Sequence, residues 1–176
     1  MGPRPAERPD SASIISVHTP AATPEDPPHP VPPDEGERQV SALRVPARHA
    51  SLRLVRSELE AALARMGWPP DATGKAVLAT GEAVANAIEH GSDPGEPIHV
   101  DLHACEHWTT IVVRAQGRDD AAVPAIIPTA PPPASQPRGR GLVIMRRLAD
   151  EIDVGPLGGG TAVRMRFAHP EAAPGG

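Results

Sequence analysis

Aromatics, cysteine and lysine are scarce in this chain. Of 176 residues 2 are Trp, 1 is Phe and none is Tyr, so it lacks the stacking platforms that grip single-stranded nucleic acid. Lys75 is the one lysine, and the formal net charge is −5, which leaves no positive surplus to hold a phosphate backbone. The single cysteine, Cys105, excludes an internal disulfide. No apolar run approaches the roughly 18 residues of a membrane span, and the first residues lack the continuous apolar stretch of a secretory signal. These absences argue against nucleic acid, a membrane span and a disulfide scaffold as organising features. They fit a cytoplasmic protein.

Proline and glycine are abundant. The 24 prolines and 16 glycines make 40 of the 176 residues, near the level at which low-complexity chain becomes the rule. The prolines are not spread evenly: 10 fall in residues 1–40 and 6 in residues 120–138. Residues 1–40 also hold 7 acids against 3 arginines, which is −4 of the total charge. Residues 1–38 therefore read as a disordered acidic tail, because the apolar patch Ile14, Ile15 and Val17 buries too little area to offset the entropy of ordering them. The remainder, about 40–168, is long enough for one domain with an aliphatic core, and 169–176 reads as a disordered end.

Periodicity orders that remainder. Leu43 and Val45 alternate as a first strand starting near Val40, and Leu52, Val55, Leu59, Ala62, Leu63 and Met66 recur at helical spacing until Gly67 and Pro69-Pro70. Asp71 or Thr73 can cap a second helix that runs to about His90. Ile98, Val100, Leu102 and Ala104 alternate with His99, Asp101, His103 and Cys105, a strand with one apolar and one solvated polar face, and Trp108–Ala115 is its hairpin partner. Leu142–Leu148 reads as a helix, Ile152–Val154 and Thr161–Phe167 as strands. The order β-α-α-β-β-loop-α-β-β predicts an α+β two-layer sandwich, a mixed, mostly antiparallel sheet with helices on one face.

On the second helix, stepping about 100° per residue from Val77 brings Val84 and Ile88 to one side and Lys75, Glu82, Asn86 and Glu89 to the other. A mid-helix Asn has poor propensity and usually has another reason to be there. Gly139-Arg140-Gly141 precedes an apolar helix, where free backbone N–H groups can hold a phosphate. A Rossmann fingerprint is excluded by Ile144 and a P-loop by Ala76 and Pro69. His99, His103, Cys105 and His107, strung along one strand, do not easily converge on a metal.

Taken in order, Glu82-x-x-x-Asn86-Ala-x-x-His90, Val113-Arg114-Ala115-Gln116-Gly117, Gly139-Arg140-Gly141-Leu142 and Gly160-Thr161 resemble the GHKL (histidine kinase/Hsp90-like) ATP-binding fold, also called the Bergerat fold. Within it the chain is most similar to anti-sigma factor serine protein kinases, over about residues 40–168. The resemblance implies ATP and Mg²⁺ as cofactors, with Asn86 on the Mg²⁺ that bridges the phosphates and Glu82 as the base for a partner's serine hydroxyl. It places Gly139, Arg140 and Gly141 at the phosphates, Gly117 and Thr161 toward the adenine, and an ATP lid over the proline-rich 120–138. The implied partners are a sigma factor and an anti-anti-sigma protein, and the family allows a homodimer. One position departs: the first glycine box of the family begins with an aspartate that reads the adenine amino group, and here that residue is Ala115. The alternative is a degenerate binding module that sequesters a partner without phosphoryl transfer.

Overall fold

The computed structural model describes residues 36–92, 96–116, 140–157 and 160–170. Residues 1–35 of the acidic tail, the lid segment 120–138, Gly117, Gly139 and 171–176 lie outside the described residues.

The first strand, β1, spans Arg38–Pro46. Helix α1 (Ser51–Arg65) follows, with Val55, Leu59, Ala62 and Leu63 buried along one stripe. It stops in a Schellman turn: Gly67 at φ 79° donates to Ala64 O and Trp68 to Leu63 O, a geometry in which only glycine is free of Cβ strain. Helix α2 (Pro70–Asn86) begins with Pro70 at its first position and the extended Pro69 as N-cap. The cap expected at Asp71 or Thr73 is displaced because proline at the first helical position gives up no hydrogen bond, and Asp71 falls in the first turn. The helix does not stay α to His90: Ala87–Gly91 form a π turn.

Strands β2 (Pro97–Ala104) and β3 (Trp108–Gln116) make the hairpin, helix α3 covers Gly141–Leu148, and β4 (Glu151–Leu157) and β5 (Gly160–Ala168) complete a five-stranded sheet of order β1-β2-β3-β5-β4. Every neighbouring pair is antiparallel, so among the described residues the sheet contains no parallel join. The expected α+β two-layer sandwich is present.

Strand alternation sends Ile98, Val100, Leu102, Ile111, Val113, Met165 and Phe167 into the core shared with the helices. Met145 brings α3 into the same cluster. Poor in aromatics, the core is closed mainly by aliphatic interdigitation, with Trp68 edge-on to Phe167 at 6.4 Å and to His169 at 6.2 Å. Truncating a fully buried side chain such as Ile111 to alanine removes about 3 kcal/mol, the usual cost of lost transfer energy plus cavity.

The opposite face of the sheet corrects an expectation. Its residues on β2 were predicted to be solvated, yet Asp101 and His103 are buried, as are Thr110, Val112, Arg114 and Arg164 on the neighbouring strands. Asp101 accepts from Arg114 Nη2 at 2.6 Å and from Gln39 Nε2 at 3.2 Å. A charged group leaves water only with partners, so the polar alternation of β2 is a buried network. His107 stays exposed in the β2–β3 turn, and no trio of His, Cys, Asp or Glu among the described residues is arranged to hold a metal.

Candidate functional site

Two of the candidate side chains lie one helical turn apart near the end of α2. Glu82 and Asn86 are both half-buried, four residues apart and hence on the same face. Facing them is Gly141, the first residue of α3 and itself buried. A β-carbon on Gly141 would stand 3.1 Å from both amide atoms of Asn86 and 3.1 Å from Glu82 Oε2. The absence of a side chain at 141 therefore lets the α3 backbone come down onto the Glu82–Asn86 pair.

The start of α3 is chemically open. No side chain caps it, its first turn contains no acid, and its first backbone bond is Ile144 N to Arg140 O at 2.9 Å. The earlier N–H groups of the helix carry its positive end. Arg140, at the capping position, is exposed. A carboxylate, a neutral amide and a positive helix end thus meet at one point, an arrangement suited to a metal-bound polyphosphate.

At the β3–β5 pair the character changes. Ala115 pairs with Thr161 across β3 and β5 and is buried. A β-carbon on Gly91, the last residue of the π turn, would be 3.0 Å from Ala115 Cβ, so the π turn sits directly on Ala115. Gly160 is packed so closely against the Ala115 carbonyl that any β-carbon there would overlap it. Thr161 is half-buried. The neighbour of Gly91, Ser92, buries its hydroxyl without a hydrogen-bond partner among the described residues.

The structure thus gathers Glu82, Asn86 and Gly141 at one point and puts Thr161 beside Ala115; Gly117 and Gly139 fall outside the described residues. Sequence reasoning missed two features. One is the π turn, whose sequence Ala-Ile-Glu-His-Gly carries no breaker before Gly91; wide turns of this kind are frequent at functional sites. The other is an open groove of about 470 Å³ between α1 and α2, lined by His49, Leu52, Arg53, Arg56 and Leu78, with Glu82 at its edge. Arg53 and Arg56, three apart on α1, were the available signal.

Comparison with known proteins bears on the family and the fold. A family model described as the histidine kinase-like ATPase domain matches residues 45–167. Among solved structures, the fold is similar to the RsbU and RsbW domains of Rv1364c from Mycobacterium tuberculosis, with a TM-score of 0.54 and 22% identity, covering 73% of this chain and 33% of that one. The chain thus spans about a third of the length of that relative. No match is found among curated proteins.

Proposed function

The chain belongs to the histidine kinase-like ATPase domain family, and from that premise we propose that it binds ATP with Mg²⁺ where α2 meets α3 and phosphorylates a serine on a protein partner. The observation that supports this reading is the convergence of Glu82 and Asn86 on the side-chain-free Gly141. The residues fit the group: an amide oxygen suits a hard cation that keeps several waters, and open N–H groups at a helix start suit phosphate. Bound ATP·Mg²⁺ supplies the transferable phosphoryl group and the charge neutralisation that its transfer needs.

In this reading Asn86 holds the metal through its amide oxygen. Gly139, Arg140 and Gly141 bring backbone donors to the phosphates, and Gly117 and Thr161 lie toward the base. Glu82 accepts the proton of the attacking serine hydroxyl, a role that needs a carboxylate within hydrogen-bond reach. Following the motif resemblance to anti-sigma factor serine kinases, the partners are a sigma factor that is sequestered and an anti-anti-sigma protein that is phosphorylated.

Ala115 favours a second reading, a binding module that keeps the partner surface without phosphoryl transfer. A buried methyl where the family reads the adenine amino group removes one base-specific bond, worth about 1–3 kcal/mol when the donor is left unpaired. One pair of measurements decides. Saturating ATP·Mg²⁺ at about 100 times Kd stabilises the fold by about 2.7 kcal/mol, visible as a rise in Tm that Asn86→Ala abolishes. Label from γ-³²P-ATP then passes to a co-purified partner with the wild-type chain and not with Glu82→Ala. Label transfer rules out the binding module; stabilisation without transfer, or no stabilisation at all, overturns the kinase reading and leaves the binding module.

A further inference from the structure

All three helices pack on one face of the sheet, yet the other face is buried too. On that outer face Asp101 is 3% exposed, Thr110 1%, Val112 5%, Arg114 3% and Ala162 2%. The described residues offer little to cover it. What does reach across is Glu37, the last residue before β1: Thr110 Oγ1 on β3 donates to its carboxylate, and Arg164 Nη2 on β5 stands 3.8 Å away. The Glu37 side chain is 0% exposed. Just before it, Gly36 adopts φ 90°, a value that favours glycine.

Arg114 shows what is missing. Its side chain is 4% exposed, and one nitrogen, Nη2, donates to Asp101. The Nε and Nη1 atoms are buried with no hydrogen-bond partner among the described residues. A guanidinium presents five donors and binds carboxylates in pairs, and a buried donor left unmade is costly, so the cluster is short of acceptors rather than of donors. Residues 9–35 carry Asp10, Glu25, Asp26, Asp34 and Glu35, with no Lys or Arg. Thr110 to Arg114 is four residues along β3, about 13 Å, and three extended residues from Glu37 back to Asp34 span about 10 Å. The difference is within the reach of an arginine and an aspartate side chain.

We propose that the acidic segment ending at Glu35 docks on the outer face of the sheet, with Asp34 and Glu35 supplying the carboxylates that complete Arg114. The segment taken by composition as free of structure thereby gains a specific, charge-matched surface, anchored at its far end by Glu37. This interaction is independent of nucleotide binding, because Arg114 and Glu82 lie on different sides of the sheet.

Thiol labelling of the full chain tests it. Val112 lies between Thr110 and Arg114 on the outer face, so Val112→Cys in a Cys105→Ala background places a small reporter under the docked segment. The thiol is expected to label slowly, and about tenfold faster once Asp34→Asn and Glu35→Gln remove the two carboxylates, since the lost charge-assisted pairing with Arg114 is together worth about a factor of ten. Labelling that is already fast, or unchanged by the two substitutions, overturns the proposal. So does protection that fades on dilution of the protein irrespective of the acids, which would assign the cover to a second copy of the chain. A thermal cycle gives a second reading: the acid pair lowers Tm by about 4 °C with Arg114 present and by almost nothing with Arg114→Gln. Equal shifts in both backgrounds overturn it.

Discussion

The two ends of the candidate nucleotide site are built differently. At the α2–α3 end a carboxylate, an amide and an open helix start face each other across a glycine, Gly141. At the β3–β5 end a buried methyl, Ala115, is pressed between Gly91 and Gly160. The first end is chemically equipped for a phosphate chain and its metal, and steric room there depends on one missing side chain. The second end is defined by packing: two glycines let a π turn and a hairpin close over an alanine. The contrast teaches that one end of the candidate site is organised by charge and the other by shape.

Three substitutions break or sharpen that contrast. Gly160→Ala has the largest expected effect, because its β-carbon overlaps the Ala115 carbonyl and the β3–β5 pairing must part. Urea unfolding is expected to show a loss of about 3 kcal/mol, at the upper end for overpacking; a loss below about 1 kcal/mol would show that the hairpin yields and that the base end is not closed by shape. Ala115→Asp comes next. It buries a carboxylate beside Gly91 and costs the free protein about 2 kcal/mol, while calorimetry should show ATP·Mg²⁺ binding about tenfold tighter through the restored contact to the adenine amino group. Unchanged affinity would remove the base from this end of the site. The smallest effect on the fold belongs to Gly141→Ala, where the added methyl meets only side-chain ends, Asn86 and Glu82 at 3.1 Å. Stability should shift by less than about 1 kcal/mol, since alanine is the better helix former, but the ATP·Mg²⁺-dependent rise in Tm should disappear as it does in Asn86→Ala.

Much of this architecture was legible in the chain itself. Apolar spacing located α1 and α2, period-2 alternation located β2, β3 and β5, and Glu82, Asn86 and the glycine at 141, singled out from sequence, do lie together. Those signals are local, set by the 3.6- and 2-residue periods. The misses have physical causes. Pro70 took the start of α2 because proline at the first helical position competes successfully with side-chain capping at Asp71 or Thr73. The π turn at Ala87–Gly91 packs its Gly91 against Ala115, a tertiary contact that nothing in its own residues signals. The burial of Asp101 and Arg114 escaped because alternation reports which residues share a face, whereas whether that face is covered depends on segments distant in sequence.

The aromatic poverty of the chain has one practical consequence. Each face of the sheet is served by a single indole: Trp68 is buried beside Phe167 and His169 on the helix side, while Trp108 on the other side lies half-buried under Arg166, whose guanidinium carbon is 4.4 Å from the ring centroid. With no tyrosine to add a background, intrinsic fluorescence resolves into two emitters in unlike surroundings, one enclosed by hydrocarbon and one under a cation. The molecule carries its own optical label for each layer, so that events on the helix side and on the outer side can be followed separately in a single unmodified sample.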